Sequence, residues 1–367
     1  MQLRKFHVTL DDGGFRSGEV AGVAYGDPST PVEIMFLHAN GYNGVTYQSI
    51  LQPLASQAHV AAVDMRGHGM TMLPVEPGRL RSWDVLRDDM ITTIEKAAPG
   101  GLILGGHSLG ATVALMVAAK APHLIDGLVL VDPVVLSPTF YKFANMPILG
   151  RLTTFGKLAK DARNRNKTRF ASREEAQEYY ASRGGFKTWR TPFLHDFLID
   201  GLTWVADQNF ELSCQPEWES AVFAAQANRP WRAFSQLGKY REREIARLRQ
   251  LAQLAPDERQ EADENYKAEL QAGNVKSSRL AKNIPMIILQ ADKNSTCVED
   301  MDRRVHAFLP DAAVTRIPGT THFLPMERPY VVRDALDILY RTRRGDFEDD
   351  YIGAVKRTIN DAIGVMG

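Results

Sequence analysis

A hydroxyl, an imidazole and several carboxylates sit at the ends of apolar runs in this chain. Ser108 lies at the apex of Leu102 to Ala119, LILGGHSLGATVALMVAA. The stretch is a short apolar run, a sharp turn at Gly106-His-Ser-Leu-Gly110 and an apolar helix. A G-x-S-x-G pattern between strand and helix is the mark of a nucleophile elbow. The turn holds the serine in a strained backbone conformation, and its glycines leave room where side chains would meet the neighbouring helix and strand. A glycine-rich connection around a buried serine is the plain alternative. A serine hydroxyl is a weak nucleophile near neutral pH, so it needs a base, and the base needs an orienting partner. His322 follows the last apolar run in Pro318-Gly-Thr-Thr-His-Phe323, just before an amphipathic helix. That makes it the candidate base, against the alternative of a surface histidine in a Gly/Thr turn. His107 lies inside the elbow with its ring facing away from the nucleophile, and His68 reads as structural. His59 to Asp64 matches an HxxxxD acyltransferase pattern in letters only, since it runs along a strand.

The elements that must position these groups alternate. Leu3 to Val8 and Val20 to Tyr25 read as strands around an Asp/Gly turn, and Val32 to Leu37 as a buried strand. A helix over Thr46 to Gln57, a strand over His59 to Val63 and a helix over Ser82 to Ala97 with Ser82 as N-cap follow. After the elbow, Gly127 to Val131 is a strand ending in Asp132-Pro133. This rhythm implies βαβ units and a mostly parallel sheet. From Val134 to about Lys282 the pattern is helical throughout. It includes a capping box at Ser172-Arg-Glu-Glu175, helices over Pro192 to Ala206 and Glu217 to Ala227, and a charged hairpin over Arg241 to Gln253 and Asp257 to Ala272. The hairpin reads as a solvated face, with a homodimer contact as the other option. The rhythm resumes with a strand at Pro285 to Gln290, a helix at Val298 to Phe308, a strand at Ala312 to Ile317 and a helix at Glu327 to Arg341. A short helix is expected in the tail, and its RGD triplet reads as accidental. An insertion of about 150 residues is too long for a loop and must be a helical subdomain. Four strand ends carry polar groups on the side where parallel sheets place their sites: His38 with Asn40, Ser108, Asp132 and the His322 loop.

Composition narrows the partners. The chain has 367 residues, 44 of them Lys or Arg and 44 Asp or Glu, so its formal net charge is zero. Such a balance gives no general attraction to nucleic acid or to a membrane surface. No apolar run reaches membrane-spanning length. Cys214 and Cys297 are the only cysteines, which fits a reducing compartment without a disulfide framework. MQLRKFHVTL has no apolar h-region, so a cytoplasmic setting is expected, although a trimmed leader would look the same. There is no P-loop, dinucleotide fingerprint or metal-ligand pattern, so neither cofactor nor metal is expected.

His38-Ala-Asn-Gly41, Asp64-Met-Arg-Gly-His-Gly69, the elbow, and Gly319-Thr-Thr-His-Phe-Leu-Pro-Met-Glu-Arg-Pro329 occur in this order. Together they resemble α/β-hydrolase-fold serine hydrolases with an inserted helical cap, over residues 1–133 and 283–342. The HANG variant and Leu212-Ser-Cys-Gln-Pro-Glu217 also resemble a subgroup of esterases and acyl-CoA hydrolases. The resemblance implies an α/β fold with a mostly parallel sheet of about eight strands flanked by helices. The core would be 1–133 and 283–345, the cap 134–282 and a helical tail 346–367. It also implies an oxyanion hole from the backbone N–H groups of Leu109 and Asn40, with Ala39 as the alternative to Asn40. His38 would brace that loop.

Most relatives carry the acid after the seventh strand, in hydrophobic-x-Gly-x-x-Asp. Here that segment is Leu289-Gln-Ala-Asp-Lys-Asn294, which puts Asn294 where the aspartate belongs. An Asn cannot stabilise an imidazolium. Asp132, one strand away, is therefore the expected acid, and Asp292 the alternative. The cap's aromatic residues mostly serve its own packing, and some would line an apolar pocket. His38, Tyr179, Trp189, Phe193 and Phe323 are the candidates. The basic run Lys157 to Arg169 reads as a solvated helix face or as attraction for an anionic substrate. The expected activity is hydrolysis of a hydrophobic carboxylic ester through an acyl-enzyme. The alternatives are an acyl-CoA thioesterase, a lactonase or C–C hydrolase, and a non-catalytic ligand-binding protein of the same fold.

Overall fold

The computed structural model describes residues 4–346 except 145, 147–151, 206–208 and 277, together with positions 353 and 357. The tail helix expected after Asp350 otherwise lies outside the described residues. The first part of the chain forms β1 (Arg4–Asp11), β2 (Ser17–Tyr25), β3 (Ile34–Leu37), α1 (Gln48–Leu51), β4 (Val60–Val63) and α2 (Asp84–Ala97). It continues through β5 (Leu102–His107), α3 (Leu109–Lys120) and β6 (Ile125–Val131). The stretch after β6 carries α4 (Pro138–Ala144), α5 (Thr154–Arg163), β7 (Arg169–Phe170), α6 (Arg173–Ala181), α7 (Phe193–Asp200), β8 (Leu202–Val205) and β9 (Asn209–Leu212). Then come α8 (Pro216–Ala224), α9 (Pro230–Leu251) and α10 (Pro256–Gln271). The closing elements are β10 (Met286–Ala291), α11 (Met301–His306), β11 (Ala313–Ile317), α12 (Leu324–Glu327) and α13 (Pro329–Arg343).

The main sheet has eight strands in the order β1-β2-β4-β3-β5-β6-β10-β11. β1, β2 and β4 pair antiparallel, and every pair from β4 through β11 is parallel. The central strands are buried at every residue of β3, β4 and β5, as their unbroken apolar composition requires. Alternate side chains of each strand go to opposite faces. Met35, Leu37, Leu102 and Leu104 pack with Leu86 and Met90 of α2, α3 and Phe234 of α9. Ile34, Phe36 and Ile103 pack with Ile50 of α1 and with Val332 and Leu336 of α13.

Three expectations change. The stretch between β6 and β10 is not purely helical, because β7, β9 and β8 form a small antiparallel sheet. Strands of two to four residues are too short to leave a periodic signal. The helix expected over Thr46 to Gln57 breaks into a 3-10 turn, a one-turn α1 and a second 3-10 turn containing Pro53, since proline removes a backbone donor. Ser82 does not cap α2. Trp83 is the N-cap, without a side-chain bond, and the Ser82 hydroxyl reaches Asp84 instead at 2.6 Å. Ser172 does cap α6, accepting from the Glu175 N–H at 3.1 Å. Among the described residues no helix is long and apolar enough to cross a membrane.

The elbow depends on close backbone approach. A β-carbon on Gly106 would meet the Gly110 carbonyl carbon at 2.5 Å, and one on Gly110 would meet the Leu37 carbonyl oxygen at 2.2 Å. Alanine is normally favoured over glycine in a helix by about 1 kcal/mol. Here Gly110→Ala is expected instead to destabilise the fold by about 1–3 kcal/mol or more. Urea denaturation measures this, and a raised midpoint would contradict the crowding argument.

Candidate active site

Ser108 follows β5 and begins α3 with φ 55° and ψ −113°. Its hydroxyl makes no capping bond to the helix, so the side chain is left for another partner. That partner is His322, whose Nε2 lies 3.0 Å from Ser108 Oγ. On the other side of the ring, Nδ1 lies 2.6 Å from Asp132 Oδ2. Ser108 is 8% exposed, and the side chains of His322 and Asp132 are 23% and 0% exposed. Access therefore closes progressively from imidazole to carboxylate. The three groups sit at the C-terminal ends of β5 and β6 and after β11, as strand order in a parallel sheet favours.

Asp132 occupies a left-handed conformation, φ 42°. Its own N–H donates to Leu289 O on β10 at 2.8 Å. Its Oδ1 accepts from the Ala291 N–H at 3.0 Å and the Ser295 hydroxyl at 2.6 Å. Its Oδ2 accepts from the Thr296 N–H at 3.0 Å as well as facing His322. Burial by itself raises the carboxyl pKa, but His322 and these hydrogen bonds outweigh it and hold the group below its ordinary value.

Asp292, the alternative acid, is not in reach of the imidazole. Its Oδ2 accepts from the Gly319 N–H at 3.2 Å, so it serves the loop before His322. Asn294 stands at φ 53°, in a turn that delivers Ser295 and Thr296 to Asp132.

On the opposite side of the elbow, the loop after β3 carries His38, Ala39 and Asn40. The Ala39 N–H donates to Tyr47 Oη at 3.1 Å and is thus engaged within the fold. Asn40 has no backbone partner of this kind among the described residues. Its side chain points away, with Nδ2 donating to Glu219 O of α8 at 3.0 Å. Leu109 is the first residue of α3, where backbone N–H groups have no acceptor within the helix.

His38 is fully buried and does not line a pocket. The Met65 N–H donates to its Nε2 at 2.8 Å, and its Nδ1 meets Ala39 O at 2.7 Å. Burial, with His68 adding to it, pushes its pKa well below the usual imidazole value, so it is a neutral brace. Phe193 is also core, 1% exposed, in the cluster with Leu324 and Met326. Tyr179 stacks within the aromatic group around Phe170 and under Arg183. Phe323 adjoins the site, its ring 6.0 Å from that of His322, and Trp189 packs behind it at 6.1 Å.

The basic run divides. Arg165 donates to the buried Glu219 carboxylate at 2.6 Å, beside Gly41 in the loop after β3. Lys160 and Arg163 instead line a cavity of about 700 Å³ with Arg81, Ala159, Ala221 and Phe223. That cavity touches none of Ser108, His322 and Asp132, so the distances among reacting groups, not cavity size, locate the site. Among the described residues no cluster of three His, Cys, Asp or Glu side chains is placed to hold a metal ion. Reading by motif missed Ser295, Thr296 and Tyr47. The polar pair directly after Asn294 was the one available signal for the first two.

The match to known families agrees with this geometry. Residues 33–329 match the model of the alpha/beta hydrolase fold family, and the chain belongs to that family. A 2-(acetamidomethylene)succinate hydrolase of Mesorhizobium japonicum is 32% identical over 99 residues, 27% of this chain and 34% of that protein. An esterase of Mycobacterium tuberculosis is 33% identical over 117 residues, 32% of this chain and 37% of that protein. The matched stretches thus span about a third of these relatives' length. The solved E-2-(acetamidomethylene)succinate hydrolase superposes with a TM-score of 0.65 at 16% identity, covering 91% of this chain and 98% of the other. A peroxisomal α/β-hydrolase of Saccharomyces cerevisiae gives 0.62 at 13% identity, with 100% and 96% covered. At such identities the superpositions show the shared fold.

A carboxyl held below its unfolded pKa of 3.8 adds stability that is present above that pH and lost as pH falls through the folded value. The difference in unfolding free energy between wild type and Asp132→Asn is therefore expected to stay level above 3.8 and to narrow below it. Urea titrations across pH measure it. A difference that widens on acidification would refute the depressed pKa.

Proposed function

We propose that the protein is a serine hydrolase of carboxylic esters with a hydrophobic acyl or aryl part. The observation that carries this is the unbroken line from Ser108 Oγ to His322 Nε2, 3.0 Å, and from His322 Nδ1 to Asp132 Oδ2, 2.6 Å. Ser108 Oγ attacks the ester carbonyl while His322 Nε2 takes its proton. Asp132 keeps the proton of the neutral ring on Nδ1 and stabilises the imidazolium that forms. The negative charge that develops on the carbonyl oxygen is held by the N–H groups of Leu109 and Asn40. His322 then protonates the leaving alcohol, and the acyl group stays on Ser108. Water, deprotonated by His322, attacks the acyl-enzyme and releases the acid, which restores the hydroxyl.

The stretch between β6 and β10 acts as the cap. The main support is that Gly185, in its 3-10 turn, presses on Phe323, where a β-carbon would meet the ring at 1.9 Å. Tyr42, Phe186, Trp189 and Phe197 form one aromatic cluster next to Phe323, which suits an apolar acyl or aryl group. The hydrolase and esterase names of the matched relatives agree with the reaction class.

A p-nitrophenyl ester tests the reading. Wild type is expected to release a burst of p-nitrophenol that Ser108→Ala abolishes. Equal slow release from both would sink the proposal. Asp132→Asn is expected to lower kcat by a factor on the order of a thousand or more, and Asp292→Asn by only a small factor. The reverse order would move the acid to Asp292.

A further inference from the structure

A chain of hydrogen bonds joins three of the strand ends without touching the reacting atoms. His107 Nε2 lies 2.8 Å from the backbone oxygen of His322. A carbonyl only accepts, so Nε2 carries the proton. Burial, with His322 adding to it, pushes the His107 pKa down to about 3, so the ring is neutral and its Nδ1 is an acceptor. Tyr47 Oη, 2.8 Å from that nitrogen, must then donate to it. The same oxygen accepts the Ala39 N–H at 3.1 Å. Tyr47 is fully buried against Phe36, ring centroids 4.8 Å apart. The donors therefore run one way, from the Ala39 N–H to Tyr47, from Tyr47 to His107 and from His107 to the His322 carbonyl. Each link adjoins a member of the site. Ala39 precedes Asn40, His107 precedes Ser108, and the last acceptor is His322 itself.

We infer that Tyr47 and His107 are positioning residues, which register the oxyanion loop, the nucleophile turn and the backbone of the base against one another. The inference rests on the hydrolytic reading of Ser108 and His322. The chain does two things for that reaction. By occupying the Ala39 N–H it leaves the next one, on Asn40, to face the developing charge. By keeping the His107 proton on Nε2, and so toward a backbone acceptor, it leaves the His322 ring, 5.0 Å away, as the imidazole that gains a proton during turnover. Displacements of about 1 Å in such a constellation cost rate by factors up to about a hundred.

The test uses the full chain and p-nitrophenyl butyrate. Tyr47→Phe and His107→Met are each expected to lower kcat on the order of tenfold with KM within about twofold, because neither residue touches substrate. His107→Gln, whose amide keeps one donor and one acceptor, is expected to retain most of kcat. The double variant Tyr47→Phe/His107→Met should be no worse than the poorer single variant, since both break one chain. Full kcat in Tyr47→Phe, equal losses in His107→Gln and His107→Met, or losses that multiply would each overturn the inference. Ser108→Ala is run alongside. If it matches wild type, the hydrolytic reading fails on its own, and imidazole nitrogen NMR then decides the chain. A neutral, Nε2-protonated His107 whose Nδ1 signal moves in Tyr47→Phe upholds it, and an Nδ1-protonated ring overturns it.

Discussion

The carboxylate of Asp132 is the group on which the rest of the site depends. A charge with no exposed surface is costly unless it is paired and hydrogen-bonded. Here Ala291, Ser295, Thr296 and His322 all present donors to it. The arrangement fixes more than one side chain. Because the donors come from β10, from the turn after it and from the loop after β11, the charge draws three separate parts of the chain to one point. The imidazole is the outermost donor of that set. Its tautomer and orientation therefore follow from a coordination that the fold has already completed.

Such a cluster needs a rigid frame, and the parallel strands supply it. Ser108 and Asp132 hold left-handed backbone conformations, with φ 55° and φ 42°. Conformations of this kind cost on the order of 1–3 kcal/mol each and persist only where the surroundings impose them. The surroundings are strong at both places. The Ser108 N–H is bonded to Val131 O and the Asp132 N–H to Leu289 O, at 2.9 and 2.8 Å. The sheet ladder is thus extended by one bond on each side, into the two residues that leave it. Strain and rigidity are two faces of one design, because the hydroxyl stays aimed only while the ladder holds.

How much of this could be read from the letters differs by residue. The elbow and the His322 loop are dense local patterns whose glycines and prolines have steric meaning, so they are legible without coordinates. The ranking of Asp132 above Asp292 came from a substitution, Asn294 where a carboxylate was expected. The structure gives that substitution a physical setting: Asn294 tolerates the left-handed turn that swings Ser295 and Thr296 toward Asp132. Tyr47 was not legible. It lies in a segment that reads as an ordinary helix, and its partners Ala39 and His107 lie outside that segment, 8 and 60 residues away. Hydrogen bonds of that kind leave no periodicity. The small sheet of β7, β8 and β9 escaped for a related reason, since two to four residues per strand carry no pattern. Pocket lining was the weakest inference, because His38 and Phe193 have the right chemistry but their burial is set by tertiary packing.

The stretch between β6 and β10 leaves the sheet at Asp132, and the chain returns in β10, whose end and following turn grip the same carboxylate. The Val135 N–H donates to Thr296 O at 3.1 Å and the Val298 N–H to Val135 O at 2.9 Å, which continues the clasp. The start of that stretch is therefore pinned beside the charge, while its return at Met286 pairs with Leu128, further back along the strands. Closing a loop costs little more when the loop is lengthened. The length of the stretch is thus a small term in stability, while its contacts are not: Asn40 Nδ2 donates to Glu219 O of α8, and Gly185 presses on Phe323. The Asp132 carboxylate itself is held from outside that stretch, by Ala291, Ser295, Thr296 and His322.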